Sequence, residues 1–279
     1  MQIVVAQKAG ACFGVGRALE LARRVAAEAT GPVHTLGPLI HNPAVVDSLA
    51  KSGVTAVEQP EDATPGATLL MRAHGVTPEV EARAAEAGLT CVDATCPYVK
   101  KVHVTVERMA REGYVVVVVG EKGHPEVEGT CGHAPEAVVV GSAEELVLVP
   151  KAKKIGVVAQ TTLERRVLRE VVSGLIGRCE ELRVVDTICE ATSERQQAAA
   201  ELASKADVML VIGGRGSANT RHLADVCSGR CERTHHVEDA SEIEQVWLAD
   251  AELVGITAGA STPADQIEAV CARVRDLSA

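Results

Sequence analysis

The sequence predicts an α/β fold of three small α/β domains with parallel sheets, related by pseudo-threefold symmetry about a common centre. Three observations predict it. Val92-Asp93-Ala94-Thr95-Cys96-Pro97 returns as Val185-Asp186-Thr187-Ile188-Cys189, each time a short apolar run that reaches Asp, skips two residues and presents a cysteine. Gly120 follows Cys96, and Gly213 follows Cys189, at the same 24-residue interval, and a weaker copy at the chain start runs from Cys12 to Gly37 in 25. The residue four past each of these glycines is polar: His41, His124 and Ser217. Self-similarity at a fixed period marks units that repeat and pack together, and the alternation of strand-like with helix-periodic segments implies parallel sheets. The boundaries this predicts are 14–96, 97–188, and 189–279 together with 1–13.

The chain opens on a strand, Ile3-Val4-Val5-Ala6. Cys12-Phe13-Gly14-Val15-Gly16 then turns into a periodic helix over 17–29 that ends before Gly31-Pro32, as helix stop signals require. These glycines lack the Gly-x-Gly-x-x-Gly spacing of a dinucleotide site, and a cysteine occupies the turn. Val33 to Leu36 is a short strand, Asn42-Pro43 opens a helix, and 68–72 is a strand ending at Ala73-His74-Gly75. Pro97 suits the first position of a helix over 98–111, where its missing N–H is no loss. The β-branched run 114–119 is typical of a parallel strand buried on both faces. A loop from Gly120 to Gly129 precedes a strand over 138–140, a helix over 143–148, a strand over 155–159 and a helix near 164–177. The third unit continues through Cys189 with a helix to Lys205, a strand from Val208, the loop Gly213 to Asn219 and a final helix after Pro263.

With 279 residues the chain is long enough for a substantial core, and that core must be aliphatic, because there are one Phe, one Trp and two Tyr. The lack of stacking aromatics and a net charge of −10 argue against a nucleic-acid partner, which leaves a basic footprint. No run approaches membrane-spanning length, and the start enters a strand without a leader pattern, so a cytoplasmic protein is expected. In that compartment the nine cysteines are expected as thiols, most of them small core residues.

Cys12, Cys96 and Cys189 are the exceptions, since each stands at a strand end where a helix begins and its dipole suits an anionic sulfur ligand. Ordinary structural zinc sites take cysteines paired a few residues apart, which these are not. Widely separated cysteines suit an iron-sulfur cluster, and four-iron clusters ordinarily take four. Only three equivalent positions exist, which predicts a 4Fe-4S cubane with one iron open to substrate. The group His222, Cys227, Cys231, His235 and His236 resembles a zinc site superficially and is discounted, because Cys227 falls on a helix and the two histidines point to opposite faces of a strand. A second constellation, His41, His74, His124, Thr161, Ser217, Asn219 and Ser261, gathers donors at strand ends and helix N-termini, which is how proteins hold phosphate. Glu126 is the one carboxylate in these inner loops. Near a cluster and an anionic ligand it is the expected proton donor, with Glu128 as its decoy.

The motifs Cys12-Phe13-Gly14-Val15, Ile40-His41-Asn42, Ala73-His74-Gly75-Val76, Val92 to Pro97, Gly123-His124-Pro125-Glu126-Val127-Glu128-Gly129-Thr130, Gln160-Thr161-Thr162-Leu163 and Thr257-Ala258-Gly259-Ala260-Ser261 resemble those of the 4-hydroxy-3-methylbut-2-enyl diphosphate reductase family, iron-sulfur enzymes that end the methylerythritol phosphate route to isoprenoids. The resemblance spans the whole chain and implies a trefoil of three α/β domains, in agreement with the repeat. It implies Cys12, Cys96 and Cys189 as cluster ligands and His41, His74, Ser217, Asn219 and Ser261 around the substrate diphosphate. It gives His124, Thr161 and Glu126 the task of orienting and protonating the substrate hydroxyl. The implied reaction is reductive dehydroxylation to isopentenyl and dimethylallyl diphosphate, with two electrons from a flavodoxin- or ferredoxin-type donor. One departure is Ala218, where many family members carry a second serine. That implies one phosphate hydrogen bond fewer, about 1–3 kcal/mol if the acceptor is left unpaired. Two alternatives remain at this point: an iron-sulfur hydratase or dehydratase, which consumes no net electrons, and a non-catalytic iron-sulfur redox sensor.

Overall fold

A computed structural model describes residues 1–278. Twelve strands form three four-stranded sheets, and every strand pair is parallel. The chain falls into two compact units. The first comprises 1–13, 41–43 and 190–279, and the second 14–40 and 44–189.

The first unit carries one sheet, built from β1 (Gln2–Val5), β10 (Val208–Ile212), β11 (Thr234–Val237) and β12 (Leu253–Ala258) in the order β1-β12-β10-β11. Its register aligns Gln2 with Leu253 and Val208 with Val254. The second unit carries two sheets. β2 (Val33–Leu36), β3 (Val54–Val57), β4 (Thr68–Met71) and β5 (Thr90–Asp93) run in the order β3-β2-β4-β5. β6 (Val115–Val119), β7 (Val138–Val140), β8 (Lys154–Ala159) and β9 (Glu181–Val184) run in the order β7-β6-β8-β9. All three sheets therefore share one winding, second-first-third-fourth, provided β1 is counted as the fourth strand of the sheet that begins at β10. The three parallel-sheet α/β units expected from the sequence are present, and the repeat is one of topology as well as motif.

The cores are aliphatic, as the composition requires. β6 is five valines, four of them buried, and Val117 and Val119 pack toward Leu168 and Val171 while Val116 and Val118 pack toward Val102 and Val106. That two-faced burial is what a continuous β-branched run in a parallel sheet predicts. Phe13, the one phenylalanine, is 69% exposed, and Tyr98 is exposed as well.

Helices bridge the strands: α1 (Phe13–Glu28), α2 (Pro43–Lys51), α3 (Pro78–Glu86), α4 (Pro97–Arg111), α5 (Pro125–Gly132), α6 (Arg165–Leu175), α7 (Glu190–Ala203), α8 (Ala218–Ser228) and α9 (Ala264–Ser278). None is long and apolar enough to cross a membrane. Three expectations are corrected. The helix expected over 143–148 is a 3-10 helix, with Leu146 buried, Ala143 packed against the core and Val147 and Leu148 exposed. The helix expected from Arg17 starts four residues earlier, directly after Cys12. Of the six cysteines outside the repeated positions, most of them expected in the core, Cys227, Cys231 and Cys271 are buried, Cys131 and Cys179 are half-buried and Cys91 is exposed.

Candidate active site

The three strand-end cysteines have one backbone environment. Cys12 N–H donates to Ala260 O, Cys96 N–H to Ala73 O and Cys189 N–H to Thr161 O, each at 3.0 Å. In every case the acceptor belongs to the segment leaving the third strand of the sheet whose fourth strand precedes the cysteine: β12, β4 and β8. Cys96 is the N-cap of α4 with Pro97 at its first position, and Cys12 and Cys189 stand one residue before α1 and α7. All three are half-buried, and no cysteine forms a disulfide. Among the described residues no group of three or more His, Cys, Asp or Glu side chains is arranged to hold a metal ion.

The discounted zinc group is engaged elsewhere. Cys227 is fully buried on α8, where burial pushes its thiol up to about 12, and Cys231 Sγ donates to Ala206 O. His235 stacks on Trp247 with centroids 4.0 Å apart, and His236 Nε2 is 2.8 Å from Gly213 O.

In the second unit the structure brings His74, His124, Glu126 and Thr161 together. His124 caps α5, its Nδ1 accepting the Glu126 N–H at 3.1 Å, so the proton of the neutral ring lies on Nε2. The His74 and His124 rings meet edge to face at 5.6 Å. Glycines allow this approach. A Cβ on Gly129 would come within 3.3 Å of the Gly75 backbone, and one on Gly132 within 2.4 Å of Thr77, so α5 lies directly on the turn that carries His74. Gly75 itself (φ +77°) sits above the His103 ring, whose Cε1 a Cβ would approach to 2.5 Å.

Glu126 is 3% exposed, unlike its exposed neighbour Glu128. Its Oε1 accepts the Thr161 N–H at 2.6 Å and its Oε2 the Thr161 hydroxyl at 2.8 Å. Burial pushes the Glu126 carboxyl above the usual range, and the two Thr161 bonds pull the other way. The result is a carboxyl fixed in direction and biased toward holding its proton, which is the condition of a general acid.

The other donors lie in the first unit. Ser217 caps α8, accepting the Thr220 N–H at 3.3 Å, and Ala218 and Asn219 open the helix. Asn219 Nδ2 is buried and has no hydrogen-bond partner among the described residues. Such a donor at a helix N-terminus is an arrangement that suits an anion. Ser261 Oγ donates to His41 O at 3.1 Å, while Asn42 Nδ2 donates to Ser261 O at 2.9 Å. Gly214 leaves space for the same His41 carbonyl, to which a Cβ would approach within 2.7 Å. These contacts are why residues 41–43 pack with β10 and β12 although the chain on either side belongs to the second unit.

Several contributors lay beyond sequence reasoning. Asn42 was legible only as part of a motif, and its bond to Ser261 spans 219 residues. Gln160, buried beside Thr161, fixes the Glu121 N–H with Oε1 at 2.9 Å. His103 stacks on His133 at 4.3 Å beneath the His74 turn, and burial, then His133, lowers it to about 4.

A profile of the LytB protein family matches residues 3–275. The 4-hydroxy-3-methylbut-2-enyl diphosphate reductase of Aquifex aeolicus is 43% identical over 99% of this chain and 97% of that protein. Its namesake from Geobacter sulfurreducens is 47% identical over 99% and 98%. A solved structure described as (E)-4-hydroxy-3-methyl-but-2-enyl diphosphate reductase, the terminal enzyme of the non-mevalonate pathway, is 43% identical, with a TM-score of 0.73 over 99% of this chain and all of that one. The reductase from Plasmodium falciparum, 30% identical, superposes with a TM-score of 0.91 over 95% and 85%.

Proposed function

The chain belongs to the LytB protein family, and from that premise we propose that it reduces 4-hydroxy-3-methylbut-2-enyl diphosphate, an oxidoreductase step in isoprenoid precursor synthesis. The observation that carries the reading is the buried Glu126 carboxyl, locked by Thr161 two residues past the His124 cap.

The diphosphate is held by His41, Ser217, Asn219 and Ser261 with His74, and the α8 N-terminus supplies oriented N–H groups for its charge. Ser261 turns its hydroxyl from His41 O to the ligand, and Asn219 Nδ2 gains the partner it lacks among the described residues. His124, with its proton on Nε2, and the Thr161 hydroxyl orient the substrate hydroxyl. Glu126 then gives it a proton, so the C–O bond breaks with water as the leaving group, and a second proton at carbon completes isopentenyl or dimethylallyl diphosphate. Two electrons and two protons enter for each water released.

Cys12, Cys96 and Cys189 fit a four-iron cluster by their chemistry: three half-buried thiols, each at a helix start, with backbone fixed by a matching bond. When bound there, the cluster supplies the two electrons and, at the iron no cysteine ligates, a Lewis acid for the departing oxygen. The electrons come from a flavodoxin- or ferredoxin-type donor in the cytoplasm.

The test is anaerobic turnover of the allylic diphosphate with a reduced viologen dye. Two electrons consumed per diphosphate are expected. Product formed without consumption of reductant would overturn the reading in favour of a dehydratase. Diphosphate neither bound nor turned over by cluster-loaded protein would favour a redox sensor.

A further inference from the structure

We propose that Asp93 and Asp186 are positioning residues, each locking the peptide that presents a cluster cysteine; the inference rests on the assignment of Cys96 and Cys189 as ligands. The two aspartates stand three residues before their cysteines and use their oxygens identically. Asp93 Oδ1 accepts the Thr95 N–H at 2.8 Å while Oδ2 pairs with Lys100 Nζ. Asp186 Oδ1 accepts the Ile188 N–H at 3.2 Å while Oδ2 pairs with Arg165 Nη1. One oxygen fixes the residue before the cysteine and the other is tied to a cation.

An Asx turn at a helix entrance is common, and a half-exposed ion pair contributes little by itself. What exceeds an ordinary cap is the completeness of the lock. In the first arm the Thr95 N–H is held by Asp93, the Thr95 carbonyl accepts Arg17 Nη1 at 3.1 Å, and the Cys96 N–H goes to Ala73 O. In the second arm the Ile188 N–H is held by Asp186 and the Cys189 N–H goes to Thr161 O. The cations come from unrelated places: Lys100 from α4, after its cysteine, and Arg165 from the start of α6, before it. Two different routes to the same charge-balanced latch mark a requirement of the position rather than an accident of one loop. The balance has a reason, because an uncompensated carboxylate three residues from a sulfur ligand repels an anionic cluster.

The arm of Cys12 differs. Ala9 occupies the position of the aspartate, and the loop is gripped at a carbonyl instead. Arg195, 3% exposed on α7, donates Nη2 to Gly10 O at 2.7 Å and Nη1 to Ala191 O at 2.9 Å. Two cysteines are thus aimed by an acceptor that takes an N–H, and the third by a donor that takes a carbonyl.

The experiment compares air-exposed loss of visible cluster absorption and iron per chain in purified holoenzyme. The parent, Asp93→Ala, Asp93→Asn, Asp186→Ala and Asp186→Asn are run together, with circular dichroism as the check on folding. Partners of metal ligands typically change affinity about 10- to 100-fold, so the alanine variants should lose the cluster faster by that factor. The asparagine variants keep an Oδ1 acceptor and should decay within a few-fold of the parent, a rescue that loss of general stability would not produce. Alanine variants decaying like the parent, or asparagine failing as badly as alanine at both sites, would overturn the proposal. If one alanine variant does not fold, the other position decides alone. Cys96→Ser serves as the reference. If it retains full iron, the ligand assignment itself has failed; if it loses iron while both alanine variants hold theirs, only the positioning role has failed.

Discussion

Replacing Glu126 by glutamine separates chemistry from packing at this site. The carboxyl is 3% exposed and has two bonds, from the Thr161 N–H at 2.6 Å and the Thr161 hydroxyl at 2.8 Å. Glutamine keeps the volume and an oxygen for the N–H, and its amide nitrogen can donate to Thr161 Oγ1, which then accepts instead of donating. Both partners stay satisfied, so folding stability should hold to about 1 kcal/mol. The dissociable proton is gone, and a general acid contributes about 10²- to 10⁴-fold, so kcat should fall by that factor with little change in KM. Alanine instead leaves the Thr161 N–H buried and unpaired, at about 1–3 kcal/mol, and adds a cavity. That variant should lose both stability and turnover. Because burial raises the Glu126 pKa, the parent keeps its acid protonated below that raised value. Its rate should therefore fall as pH rises through it, and the glutamine variant should lack this limb. The assay is anaerobic dye oxidation against pH for parent and variants, with thermal melts alongside. Near-parental turnover in Glu126→Gln, with the same pH limb, would refute the role.

Thr161→Val removes the hydroxyl that stabilises the carboxylate while keeping the backbone donor, so the pH limb should move upward; an unmoved limb would mean that another group sets it. Gly259→Ala places a Cβ 2.1 Å from Thr220 Oγ1 at the α8 entrance. It should cost about 1–3 kcal/mol by overpacking and raise KM for the diphosphate, and Thr220→Ala in the same chain should restore both. His103 is lowered to about 4 in the folded chain from an ordinary 6.5, so the unfolded chain binds its proton first as pH drops. Stability should be full above about pH 6.5 and decline toward about pH 4 with a slope of up to about 1.4 kcal/mol per pH unit. Denaturant midpoints of His103→Gln should show a shallower slope across the same window.

The frame of this site was legible in the sequence because its members sit where strand gives way to helix. There the backbone dictates where a side chain can stand, and Cys96, Gly120 and His124 keep the spacing of Cys189, Gly213 and Ser217. Glu126 was legible for the same reason, two residues past a repeated position. What escaped was fixed by long-range packing. Nothing local announces that Asn42 reaches Ser261 or that Arg195 grips Gly10. Nor does the sequence reveal that Gly75 is a glycine partly because the His103 ring fills the space beneath it. The recurring aspartates were visible as a motif, but their second oxygens meet Lys100 in one copy and Arg165 in the other, a correspondence that no fixed spacing encodes.

The winding of the first unit has a temporal consequence. β1 hydrogen-bonds only to β12, with Gln2 opposite Leu253, and the Cys12 N–H waits for Ala260. During synthesis from the amino terminus, the earliest residues made remain without their sheet until nearly the last have emerged. A truncated product can complete the two sheets of the second unit, yet its first sulfur has no framework to stand on.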